Sequence, residues 1–227
     1  FAEVARRAPG VDIARVEVLA AWHPDLGDSQ PGDAPGVVTL MLVPRHDPRA
    51  PEAPSPDRAF LDALCRHLDP RRLVTTELVL RGPAYVPVWL SIGLTVAGGW
   101  AVPEVRDAVK TRLRAVLAPA RTEAVADLPG LDGGWPLGRA VNRLELWAEV
   151  ARVPGVLKVN EVLLAGATGG AVDTEIPMRG LQLPRLAGLA VELGGALPLD
   201  DLRGTGSAAP APAGPRIVPV PTVPTTC

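Results

Sequence analysis

Ala2-Glu3-Val4-Ala5-Arg6-Arg7-Ala8-Pro9-Gly10-Val11 and Ala148-Glu149-Val150-Ala151-Arg152-Val153-Pro154-Gly155-Val156 are near copies of one phrase. The first runs into Ala14-Arg15-Val16-Glu17-Val18-Leu19. The second runs into Leu157-Lys158-Val159-Asn160-Glu161-Val162-Leu163-Leu164. Each reads as a helix that stops at Pro-Gly and turns directly into a strand. Proline cannot continue the helix, and glycine adopts the left-handed conformation that closes one. Two related α/β units in series follow from this.

Working outward, residues 13–21 and 37–44 read as strands, the second an apolar run (Val37, Val38, Leu40, Leu42, Val43) of the buried kind. Residues 23–35 and 45–56 are loops, the latter holding four prolines. Ser55-Pro56-Asp57 opens a helix over 57–68, with Phe60, Leu61, Leu64, Cys65 and Leu68 on one stripe. A strand over 74–80 completes a first subdomain, residues 1–82. A second, residues 83–166, starts with a long strand over 85–97. Its alternation puts Val86, Val88, Leu90, Ile92, Leu94 and Val96 on one face and Trp89 on the other. Helices over 103–117 and 139–152 and a strand over 156–164 follow. Residues 167–203 are expected to form a spacer and an extra strand (185–191) making intermolecular contact. Residues 204–227 read as a Pro/Ala/Thr-rich extended tail. The fold class is α+β: two small α/β sandwich-like subdomains in tandem with a Pro-rich C-terminal tail.

The 227 residues carry 23 basic and 25 acidic side chains. Interleaved charge without a basic stripe argues against nucleic acid. No stretch approaches the ~20 apolar residues of a membrane span. Beginning at Phe1, already within a helix, the sequence reads as the C-terminal part of a longer protein. Its two cysteines, Cys65 and Cys227, make no disulfide framework, and Cys65 is expected to be a small buried hydrophobe.

Chemistry-bearing residues are sparse. His23, Asp25, Asp28 and His46 offer metal-ligand atoms without a recognised spacing, so a hydrolase built on them ranks third among the functions considered. Cys65 and His67 point some 200° apart on a helix and cannot act as a pair. Nucleophile-elbow, zincin, Walker and dinucleotide-binding fingerprints are absent from the sequence. Glu145 and Glu149 read as solvated helix positions. No catalytic, metal or cofactor residues are assigned. The Trp135-Pro136-Leu137-Gly138 turn reads as packed inside its own unit.

The order of short motifs is more telling. Val43-Pro44-Arg45 closes a strand, Leu73-Val74-Thr75-Thr76 and Tyr85-Val86-Pro87-Val88 flank the unit boundary, and Val102-Pro103-Glu104-Val105 opens a helix. Gly134-Trp135-Pro136-Leu137-Gly138 and Val153-Pro154-Gly155-Val156 follow. Together they resemble the C-terminal half of the baseplate J-like family, wedge proteins of contractile phage tails and phage tail-like injection systems. The resemblance covers residues 1–193. Ile176-Pro177-Met178-Arg179-Gly180-Leu181 and Leu183-Pro184-Arg185-Leu186 resemble the injection-system branch.

The resemblance implies a non-enzymatic wedge subunit without cofactors, linking the central hub to the sheath and rearranging on contraction. Implied partners are a second copy within the wedge, a larger second wedge protein and a small lysozyme-like-fold wedge protein. The hub/spike and the first sheath ring complete the set, with no nucleic acid and no direct membrane insertion. Assembly in the bacterial cytoplasm as part of a particle is implied too. On physical grounds the interface candidates are Trp89, Trp100, Ile176, Met178, Leu181, Leu183 and Leu186. Those from Ile176 onward are chosen because they have no evident place in either unit, so deleting 177–227 is expected to spare both folds. The alternative function is a small-molecule-binding regulatory α/β module, which requires a concave pocket between the units.

Overall fold

Gly10 and Gly155 have φ of 79° and 88°, the left-handed values that the two Pro-Gly corners require. Helix α1 (Ala2–Arg6) thereby feeds β1 (Ile13–Ala20), and α4 (Arg143–Ala151) feeds β6 (Val156–Ala165). A computed structural model describes residues 1–26, 32–122, 130–167, 173–204 and 225–226. In it the two strands hold equivalent places in two sheets. β1 pairs antiparallel with β2 (Val37–Pro44), which pairs parallel with β3 (Glu77–Arg81). β6 pairs antiparallel with β4 (Ala84–Val96), which pairs parallel with β8 (Gln182–Leu193). An antiparallel neighbour, a middle strand and a parallel neighbour recur, although the second unit lays its middle strand first.

The fold is α+β. Helix α2 (Arg58–Leu68) crosses between β2 and β3, while α3 (Val102–Val116) and α4 intervene between β4 and β6. A two-stranded ribbon joins β5 (Val141–Asn142) to β7 (Glu175–Ile176), and β9 (Thr225–Thr226) adds to the β3 edge. Asp57 caps α2 by accepting the Phe60 N–H at 2.8 Å, so the helix begins one residue after the 57 read from the sequence. β3 begins at Glu77, which leaves Val74 outside the strand and 97% exposed. α4 begins at Arg143, capped by the Asn142 side chain at 2.8 Å, and not at Arg139. Cys65 is half-buried and disulfide-bonded, which overturns its reading as a small buried hydrophobe outside any disulfide.

On one face of the first sheet, Leu40, Leu42, Leu78 and Leu80 pack with Leu64 and Leu68 of α2 and Ala5 of α1. The alternate β2 residues Met41 and Val43 join Trp22, Trp135 and Leu183 in a second cluster. The apolar run of β2 is therefore buried on both sides, and its back is shared with the other unit. In the second sheet, Val88, Leu90, Ile92 and Leu94 meet Val109 and Leu113 of α3 and Leu146 and Val150 of α4.

The extra strand read over 185–191 is present as β8, and within this chain it borders β4. β8 pairs with β4 from Ala84↔Gln182 to Leu94↔Leu193. Helix α5 (Leu199–Arg203) then contacts β4, β6 and β8, with Leu199 5% exposed. Beyond Gly204 the described residues are Thr225–Thr226, so the expected extended tail otherwise lies outside them.

The turn before α5 crosses directly over Gly93. A Cβ there would sit 2.4 Å from the Gly194 carbonyl oxygen and 2.5 Å from the Gly195 carbonyl carbon. Backbone cannot yield as a side-chain tip does. Gly93→Ala should therefore cost about 3 kcal/mol, the upper end for overpacking. Urea unfolding would measure it, and an unchanged midpoint would contradict this packing.

Candidate functional site

The seven proposed interface residues fall into two groups. Ile176 (6% exposed), Met178 (4%), Leu181 (7%) and Leu183 (0%) belong to this chain's own apolar cluster, and Leu186 packs against it half-buried. They are not available on the surface, because β7 and β8 give them the place that local sequence did not reveal. Trp89 is half-buried under α5, with the Arg203 guanidinium 4.9 Å from its ring centre. Gly188 lies against it, where a Cβ would come within 2.7 Å of the indole. Trp100 alone stays open, 50% exposed, its ring over the Gly155 turn. Exposed apolar side chains that the sequence reading missed include Leu73 (71%), Val74 and Leu157 (68%).

The histidine–aspartate set does not converge. Ala20↔Val38 marks one end of the β1–β2 pair and Ile13↔Pro44 the other. His23 follows the first end and His46 the second, roughly 20 Å apart at ~3.3 Å per residue. His23 and Asp25 are neighbours, with Nδ1 4.0 Å from a carboxylate oxygen. Asp28 lies outside the described residues. Among the described residues no three His, Cys, Asp or Glu side chains are grouped to hold a metal. Nor is any helix among them long and apolar enough to cross a membrane.

Glu149 is not a solvated helix position. It is 8% exposed and accepts from Arg112 Nε and Nη2 at 3.1 and 3.0 Å and from Arg152. This ion pair ties α4 to α3. Glu145 does sit at the surface, 3.1 Å from Arg139.

The most organised polar geometry lies where the units meet. Arg15 on β1 is 5% exposed and reaches across to the second unit. Its Nη1 donates to the carbonyls of Pro119 (2.9 Å) and Trp135 (2.6 Å), and its Nε to Glu17 (2.9 Å). Trp135, 1% exposed, donates its indole N–H to the Arg139 carbonyl at 2.9 Å. The Trp-Pro-Leu-Gly turn is thus packed within the chain. In the opposite direction, the Tyr85 hydroxyl donates to the Pro54 carbonyl of the first unit at 2.8 Å. Burial pushes the Tyr85 phenol above its ordinary pKa of 10.0, so it remains a donor at neutral pH.

Asp47 organises the loop that Tyr85 holds. Its carboxylate accepts the Ser55 and Arg49 N–H groups at 3.2 and 2.9 Å. These donors favour the charged form and lower its pKa from 3.8, the Ser55 bond contributing most. A lowered pKa stabilises the folded loop above the unfolded value and loses that contribution as pH falls through the folded one. Amide protection at Ser55 and Arg49 should therefore drop below pH 3.8. In Asp47→Asn it should be low already at pH 7; full protection there would remove Asp47 from this role.

Between the units these elements leave an open groove of about 260 Å³, walled by the Pro51–Pro54 segment, the end of α3 with Ala118–Thr122, and Pro184 and Leu186 of β8. Arg45, Arg114, Arg121 and Glu52 stand around it.

No protein-family model matches the sequence, and no curated protein does. Among solved structures, the cryo-EM structure of the anti-feeding prophage (AFP) baseplate, 6-fold symmetrised, contains a chain of similar fold. The match has a TM-score of 0.50 at 20% identity and covers 83% of this chain. This chain spans 35% of the length of that one.

Proposed function

We propose that this chain is a structural subunit of a phage tail-like baseplate, and within it part of a J-like wedge protein. The observation that carries the reading is the fold shared with a chain of the anti-feeding prophage baseplate over most of this sequence. The order of Pro-Gly, Val-Pro and Trp-Pro motifs supports the finer wedge assignment. Arg15, Tyr85 and Glu149 serve to join elements, which suits a part that transmits force and turns over no substrate. The wedge would bridge hub and sheath, pair with a second copy and further wedge proteins, and rearrange on contraction.

The test is to purify particles from the native cell by sedimentation and locate this chain in their density. A chain found only in small soluble oligomers would sink the proposal. The sensor alternative draws on the groove between the units. Its cavity of about 260 Å³ falls below the ~300–1,000 Å³ of small-molecule sites. Ligand-dependent melting of the isolated protein would favour that alternative.

A further inference from the structure

We infer that the groove between the units seats an extended acidic segment of a neighbouring protein subunit, anchored by one or two apolar side chains. The inference rests on the baseplate reading for its setting, and on the groove's own chemistry for its content. Three guanidinium groups and one carboxylate line it, and Arg45 among them is paired with Asp12 at 2.9 Å, both side chains exposed. Glu52 is 3.6 Å from Arg114, with side-chain exposures of 65% and 52%. Such an exposed pair contributes little and exchanges readily for an incoming carboxylate. Arg121 is exposed and makes no ion pair among the described residues. The surplus positive charge is that of Arg121, and the two exposed, exchangeable pairs beside it let an anionic occupant add to it.

The walls decide how that occupant is held. Pro44, Pro51, Pro54, Pro119 and Pro184 line the groove, and proline offers no N–H while fixing its own φ. A partner cannot extend β8 by a regular ladder at Pro184. The Pro54 and Pro119 carbonyls are already satisfied from behind by Tyr85 and Arg15. What remains is rigid apolar wall, a cationic rim and the Thr122 hydroxyl, which is buried without a hydrogen-bond partner. About 260 Å³ accommodates one or two side chains of a passing chain. Preorganised walls also spare the occupant much of the ordering cost of binding.

The experiment uses the full chain within its native particle. A photo-crosslinking benzoylphenylalanine replaces Pro51, which is exposed at the groove, and in a control replaces Val74 at the far end of the first sheet. Particles are sedimented, irradiated and their crosslinked peptides sequenced. The groove position should capture one contiguous segment of another subunit, richer in Asp and Glu than in Lys and Arg, and the control should not. Arg114→Glu with Arg121→Glu should cut the yield about tenfold, and Glu52→Gln should raise it. These side chains are exposed, so co-sedimentation should persist; Arg121→Gln, with a smaller loss, guards against misfolding. Crosslinks confined to this chain, a captured segment without acidic excess, or a yield indifferent to the charge changes would each overturn the inference. Absence of the chain from the sediment would overturn it together with the baseplate reading, and is distinguishable because no particle-bound chain is seen.

Discussion

A chain ending at Ile176 should fail to fold its second unit, whereas one ending at Gly204 should keep it. The shorter form loses β8, which borders β4 along most of its length, and with it Leu183 and Val191, both 0% exposed. It also loses Met178, Leu181 and Leu199 from the core. Removing a single buried Leu-sized side chain costs about 2–5 kcal/mol, and a whole domain has only about 5–15 kcal/mol to lose. Leu90, Ile92 and Leu94 would also lose a neighbouring strand, and β4 would present an unpaired edge. Far-UV circular dichroism with limited proteolysis would compare the two forms. A protease-resistant second unit in the 1–176 chain would contradict the pairing described here. The first unit keeps its helix-side core of Leu40, Leu42, Leu64, Leu78 and Leu80, but Met41 and Val43 lose part of their cover.

This expected result reverses the one suggested by sequence, and the reason is instructive. Local rules made the helix–Pro-Gly–strand corners, the buried run of β2 and the alternation of β4 legible, since each depends on neighbours in the chain. The place of β8 depends on β4, almost a hundred residues away, and no local period encodes which strand borders which. Pro177, Gly180 and Pro184 also interrupt its start, so its apolar residues looked ownerless and were assigned to a partner. Glu149 misled for a related reason. An acid on a helix defaults to solvent, and its burial becomes tolerable through Arg152 beside it and through Arg112, which arrives from another helix. Trp100 was legible as an open residue because a Gly-Gly turn precedes it. The groove could not be read at all, because its walls come from four separate stretches of chain.

Arg15→Leu should be the most damaging single substitution at the junction. The guanidinium is 5% exposed and satisfies two carbonyls of the second unit, at Pro119 and Trp135, besides binding Glu17. Leucine fills part of the space but leaves both carbonyls without donors. A hydrogen bond to a charged group contributes about 1.5–3 kcal/mol, and an orphaned buried acceptor costs about 1–3 kcal/mol. A loss of roughly 3–5 kcal/mol follows, in the range for breaking a buried charged contact. Lysine is no substitute, since its single ammonium lacks the planar fork that lets Nη1 serve both carbonyls while Nε holds Glu17. Tyr85→Phe removes one neutral hydrogen bond at the same junction and should cost about 1 kcal/mol. Because Arg15 comes from β1 and its acceptors from the stretch after α3, the damage should appear as separation of the units before either core melts. Hydrogen exchange resolves this: protection should fall first at Trp135, whose N–H donates to the Ala118 carbonyl, and at Ala118, whose N–H donates to the Ala115 carbonyl, and only later at Leu40 and Ile92. Simultaneous loss at all four amides would mean that the units form one cooperative block and that Arg15 holds no distinct joint.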